Sequence, residues 1–179
     1  MTTRILSKRL AMLSGLTMFA GLVITQQASA QVSCPAPDAA GNPVVHQQHI
    51  FCGEINKKGY AVGFHSRPGG VNPQTVTDTS SPEQIKSAPE GIYLLRKFSI
   101  TEGGRSGQKA LSTMFPDACS QADVVAAIQN AVQHSKVSSG QFTGPSGSSC
   151  QAGTPAASFD IVGYLDDDGE VITAWPNYR

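Results

Sequence analysis

Apolar residues recur most regularly in residues 120–134, SQADVVAAIQNAVQH. Val124, Ala127, Ile128, Ala131 and Val132 recur at three- and four-residue steps. That spacing makes one apolar stripe on a helix. Ser120, with Asp123 three residues on, supplies an N-cap and a carboxylate for the first turn, so the helix starts there. His134 in the last turn suits the negative end of the helix dipole, which is a structural task. Near the C-terminus the pattern changes to alternation. Residues 158–165, SFDIVGYL, and 170–175, EVITAW, flank Asp166-Asp167-Asp168-Gly169. An Asp-Gly turn between two alternating runs predicts a C-terminal β-hairpin. The three acids at its tip read as a solvated turn, because a calcium loop needs oxygen ligands over a longer spacing and a distal Glu.

Elsewhere the signals are shorter. Residues 91–100, GIYLLRKFSI, predict a well-buried strand, with TEGGRSG as the turn that follows and leads to Lys109. His49-Ile50-Phe51-Cys52 and residues 60–64 predict two short strands separated by an Asn-Lys-Lys-Gly turn. His49 and His65 then stand at the outer ends of that pair. Residues 71–90 and 138–156 are rich in Ser, Thr, Pro and Gly and read as loops, and residues 31–48 as an extended arm. Together these features predict an α+β fold: a single compact domain of short antiparallel strands, one clear helix and a C-terminal hairpin.

The first 30 residues do not belong to that pattern. Arg4, Lys8 and Arg9 precede AMLSGLTMFAGLVIT, and Ala28-Ser29-Ala30 completes the form of a secretory signal peptide. The apolar run is short for a membrane span, so the expectation is a secreted or periplasmic chain without stable membrane association after cleavage. Of 13 basic residues 10 then remain against 13 acidic ones, a net charge of about −3. This weighs against a broad nucleic-acid footprint but leaves room for a single strand held by a few local cations.

Cys34, Cys52, Cys119 and Cys150 make an even number in an exported chain, which predicts two disulfides. Three pairings are open. Proximity along the chain favours Cys34 with Cys52 and Cys119 with Cys150. No C-x-x-C spacing suggests zinc, and Cys52 is better explained as half of a disulfide than as a nucleophile.

Chemistry concentrates in residues 45–70, which hold His46, His49 and His65. The H-x-x-H spacing of His46 and His49 lacks the carboxylate of a usual zinc set, so no metal ligands are assigned. No G-x-S-x-G elbow exists for a serine nucleophile. Two imidazoles that titrate near neutrality suit a general acid and base, and a lysine can steady charge on an oxyanion. RNA cleavage by internal transfer needs this set, since the attacking 2′-hydroxyl belongs to the substrate.

HIFCGE with His49 and GFHS with His65, STMFPDACSQADVVAAIQNA, and the ending DGEVITAWP resemble, in that order, the EndoU-type endoribonucleases, especially the bacterial branch found in secreted toxin domains. The blocks run from about residue 45 to residue 176. The resemblance implies an EndoU-like fold over residues 49–179, behind the signal peptide (residues 1–30) and the arm (residues 31–48). It implies His49 as general acid, His65 as general base and Lys109 as the cation, with Lys97 and Ser112 as alternatives for the third position. Thr173 and Trp175 would line a base subsite, Trp175 standing where the family usually has tyrosine. The implied activity is cleavage of single-stranded RNA to a 2′,3′-cyclic phosphate, with a preference for uridine. No cofactor is required, and manganese is an open addition. RNA is the expected partner, with an immunity protein if the chain is a toxin. The alternative is a secreted, disulfide-stabilised binding domain that keeps this fold without catalysis.

Overall fold

A computed structural model describes residues 31–178. The expected signal peptide, residues 1–30, lies outside them. Among the described residues no helix is long and apolar enough to cross a membrane.

Among the described residues, three antiparallel sheets, of two, four and three strands, and one α-helix make up the fold. A π-helical turn, Gln48–Cys52, leads into a small hairpin of β1 (Glu54–Ile55) and β2 (Ala61–Val62). Its turn is held by Asn56, whose Oδ1 accepts from the amides of Lys58 and Tyr60, both at 3.0 Å. Two further short strands, β3 (Val76–Thr77) and β4 (Glu83–Gln84), pair with one edge of the long β5 (Tyr93–Glu102). The equally long β6 (Arg105–Met114) returns along the other edge. Helix α1 (Gln121–Gln133) follows, and β7 (Gln141–Pro145), β8 (Asp160–Leu165) and β9 (Val171–Pro176) form a three-stranded sheet in that order.

The antiparallel α+β class, the helix and the C-terminal hairpin agree with the sequence. Ser120 and Asp123 form a reciprocal capping box, and His134 sits at the C-cap with Nδ1 2.9 Å from the Asn130 carbonyl. The disulfides are Cys34–Cys52 and Cys119–Cys150. They tie the N-terminal arm to the π-helical turn, and the start of α1 to the segment between β7 and β8.

Five local expectations need correction. His49 lies in a helical turn rather than a strand, because a short apolar run such as HIFC does not distinguish the two. His65 lies three residues beyond β2, so the two histidines do not end a pair of strands. The segment after Gly104 is strand β6, and residues 71–90 contain β3 and β4. Residues 138–156 contain β7, whose Gly144 has a packing reason. A β-carbon there would meet the backbone of Ala131, so glycine lets α1 lie directly on the sheet.

Two apolar cores result. Val124, Ala127, Ile128 and Ala131 of α1 pack against Phe142, Ile161 and Ala174, together with Ile50 and Phe51 of the π-helical turn. A second core gathers Phe64, Leu95, Phe98, Ile100 and Met114. Phe64 meets Phe98 edge-on at 5.5 Å between ring centres. The turn bearing His49 is therefore rooted in one core, and the residue preceding His65 in the other.

Candidate active site

Period-2 alternation divides the β7–β9 sheet into two faces. Phe142, Ile161 and Ala174 point into the first core, while Thr143, Val162, Tyr164, Thr173 and Trp175 face outward. Register sets Thr173 opposite Tyr164 and Trp175 opposite Val162. This outer face is one wall of a cleft of about 750 Å³. The other wall holds His49, Gly63, His65, Lys109, Leu111 and Ser112. All five residues proposed from sequence, His49, His65, Lys109, Thr173 and Trp175, thus line one cavity. Of the alternatives for the third position, Ser112 also lines it, whereas Lys97 stands exposed on β5 outside it.

The two imidazoles are brought together by backbone. Phe64 N–H donates to the His49 carbonyl at 2.7 Å, and His65 N–H donates to the Ile50 carbonyl at 2.7 Å. To make that approach the chain passes through positive φ at both Gly63 and Phe64. A β-carbon on residue 63 would run into the His49 carbonyl, so glycine is required for space as well as for conformation. The buried phenylalanine at φ 58° has no such exemption and carries strain beside the site. The His49 and His65 rings lie 6.1 Å apart and nearly parallel, at 23°. Trp175 stacks on His65 at 5.6 Å, and Tyr164 meets Trp175 at 6.0 Å. Four rings therefore form a continuous row across the cleft.

The histidines differ in their partners. His65 Nδ1 is 3.0 Å from the Thr113 carbonyl, which can only accept, so the ring donates there and its Nε2 carries a lone pair. The ring is buried, and burial, with Lys109 and His49 adding positive charge nearby, holds its pKa well below 6.5. The hydrogen bond to Thr113 opposes this weakly. His65 is therefore neutral at neutral pH and can accept a proton. His49 Nδ1 is instead 2.7 Å from a carboxylate oxygen of Glu54. The same contact holds the Glu54 carboxyl below its usual range. That carboxylate accepts from Nδ1–H, which fixes the orientation of the ring and leaves Nε2 as its second nitrogen.

Lys109 donates to the Gly63 carbonyl, the carbonyl that also receives Ser112 Oγ at 3.2 Å. Burial lowers the lysine to about 8, where it is still largely cationic at neutral pH. Sequence reasoning missed Glu54 and Tyr164. Tyr164 is recoverable from the hairpin register, which pairs it with Thr173. Glu54 is not, because residues five apart on a strand point to opposite faces, and only the π-helical turn folds them together.

Arg67 anchors the segment beyond His65. Its Nε donates to the Tyr93 hydroxyl at 2.7 Å and its guanidinium reaches Asp117 at 3.3 Å, while the Tyr93 hydroxyl donates to Asp117. Burial raises the Tyr93 phenol far above its usual range, so it stays a donor.

A "Toxin" of Bacillus cereus is 28% identical over 129 residues, which cover 72% of this chain and 22% of the relative. The chain thus spans less than a quarter of that protein's length. No solved structure matches. The family described as bacterial EndoU nuclease matches residues 43–178, a stretch that includes both histidines, Lys109 and the whole β7–β9 sheet. On that match the chain belongs to the bacterial EndoU nuclease family.

Proposed function

We propose that the chain is an exported endoribonuclease that cleaves single-stranded RNA by internal transesterification. The observation that carries this reading is the unlike pair of imidazoles, His65 with a free Nε2 lone pair and His49 backed by Glu54, with ring centres 6.1 Å apart. A phosphodiester fits across that gap. His65 Nε2 removes the proton of the 2′-hydroxyl, and the oxygen attacks the adjacent phosphorus. His49 gives its Nε2 proton to the departing 5′-oxygen. The bond between phosphorus and the 5′-oxygen breaks as the bond to the 2′-oxygen forms, leaving a 2′,3′-cyclic phosphate and a 5′-hydroxyl. The Lys109 ammonium steadies charge on the non-bridging oxygens.

Thr173 and Trp175 receive the base on the sheet wall. Trp175 offers a stacking face worth about 1–3 kcal/mol per base, and Thr173 a hydroxyl for the base edge that could favour uridine. Tyr164, next in the row, extends that face. None of these steps calls on a metal, so manganese would act only as an accessory. The toxin-named relative supports a toxin role, which would bring an immunity protein as partner. Two disulfides fit an extracytoplasmic protein.

The test is incubation of mature protein with uridine-containing RNA, with and without EDTA, reading the ends by mass spectrometry. Cyclic phosphate ends from the wild type, and none above background from His65→Ala, are expected. If the wild type cuts no faster than that variant, the chain is a binding domain on a nuclease fold.

A further inference from the structure

Outside the cleft, a second group of metal-ligating side chains converges on the rim of the β8–β9 hairpin. His46 is not part of the row of rings. Its amide donates to the Val171 carbonyl at 2.9 Å, and the Val171 amide donates to Val44 at 2.9 Å, so residues 44–46 run beside the start of β9. This pairing sets the imidazole against the turn. His46 Nε2 lies 3.2 Å from Glu170 Oε2 and 3.8 Å from Asp166 Oδ2. Its other nitrogen, Nδ1, lies 3.1 Å from Asp38 Oδ1.

These contacts pose a chemical question. With Nδ1–H donated to Asp38, Nε2 faces two carboxylate oxygens. Asp166 Oδ1 already accepts from the amides of Asp168 and Glu170, at 3.0 and 2.8 Å, so Oδ2 is the oxygen offered to the ring. The two carboxylates that converge on Nε2 repel one another, and a cation among these groups turns repulsion into attraction. The ligand atoms of His46, Asp166 and Glu170 all lie within 4.8 Å of one another. Zinc bonds of about 2.0–2.2 Å to nitrogen and oxygen put tetrahedral ligand atoms about 3.4 Å apart, between the two distances from Nε2. A carboxylate on the far nitrogen of a ligating histidine is the usual means of fixing its tautomer and orientation.

We propose that His46, Asp166 and Glu170 bind a divalent transition-metal ion of zinc type, with Asp38 orienting His46. The three side chains are about a third exposed, which leaves a fourth position for water. The ion fastens residues 44–46 to the hairpin. His46 precedes His49 by three residues and Glu170 precedes Thr173 by three, so the clamp braces both walls of the cleft from behind while sharing no residue with it.

Calorimetric titration of the chelator-stripped, disulfide-intact protein with zinc chloride tests this, with cobalt(II) absorption reporting the geometry. One ion per chain is expected, with a melting midpoint several degrees higher when the site is saturated. His46→Ala abolishes binding, and Glu170→Gln weakens it at least tenfold and serves alone if the first variant misfolds. Asp38→Asn weakens it about tenfold. His65→Ala, which removes an imidazole from the cleft, leaves the affinity unchanged. The proposal is overturned if the wild type binds no zinc, if His46→Ala retains binding, or if His65→Ala loses it.

Discussion

At the scale of single residues, His65 and Lys109 have opposite parts in the dependence on pH. In the proposed mechanism His65 works as the neutral ring, and the fold lowers its affinity for a proton. Cleavage should therefore persist as pH falls through 6.5, the usual imidazole value, and be lost only well below it. His65→Ala should reduce the rate about 10²–10⁴-fold with the circular dichroism unchanged. Lys109 works as the cation, so any rate that depends on it declines as pH rises through about 8. Lys109→Met should cost about 10²–10³-fold at neutral pH. Burial disfavours the lysine cation in the fold, so the unfolded chain binds its proton more tightly. That penalty is complete below about 8 and is relieved as pH approaches 10.5. The stability of the wild type relative to Lys109→Met should rise across that window in denaturant titrations, and a flat difference would refute the assignment.

At the scale of elements, the capping box and the Gly63 crossing separate stability from activity. Ser120→Ala removes the N-cap of α1 and should cost about 1 kcal/mol without affecting cleavage. Gly63→Ala, at φ 76° against the His49 carbonyl, should cost about 1–3 kcal/mol and also displace the two imidazoles, so its rate should fall well beyond its loss of stability. These two elements also mark how far the fold could be read from sequence. Helix α1 was legible because its stripe, cap and first-turn acid agree with one another. The C-terminal hairpin was legible because Asp-Gly joins two alternating runs. Strand β7 was not, since Gln141-Phe142-Thr143-Gly144-Pro145 contains both strand-weakening residues and its glycine answers to the helix behind it. Strand β6 was hidden by its own composition, with Gly107, Lys109 and Ser112 forming a strand because β5 supplies a full-length partner. Within the site, the pairing of His49 with His65 in one cleft was legible, whereas Glu54 depended on a turn that resembles a strand in sequence.

At the scale of the whole molecule, the cleft is the seam between two cores, and the segments bearing His49 and His65 are rooted on opposite sides of it. Anything that loosens one core against the other should change activity before it unfolds the chain. The disulfides bear on this directly, because both pin elements of the core beneath α1. They close loops with sequence separations of 18 and 31 residues, each worth about 3–4 kcal/mol by chain entropy. Reduction with dithiothreitol should lower the melting midpoint sharply in scanning calorimetry, and partial reduction should depress cleavage first. The seam also has an optical consequence. Trp175 is the chain's only tryptophan, and it lies in the row of rings between His65 and Tyr164. Ultraviolet emission from this protein is therefore a local signal, so a nucleobase that stacks on the indole should quench it. A 2′-deoxy oligonucleotide, which cannot be cut, would then report occupancy of the cleft in a cuvette with no label attached.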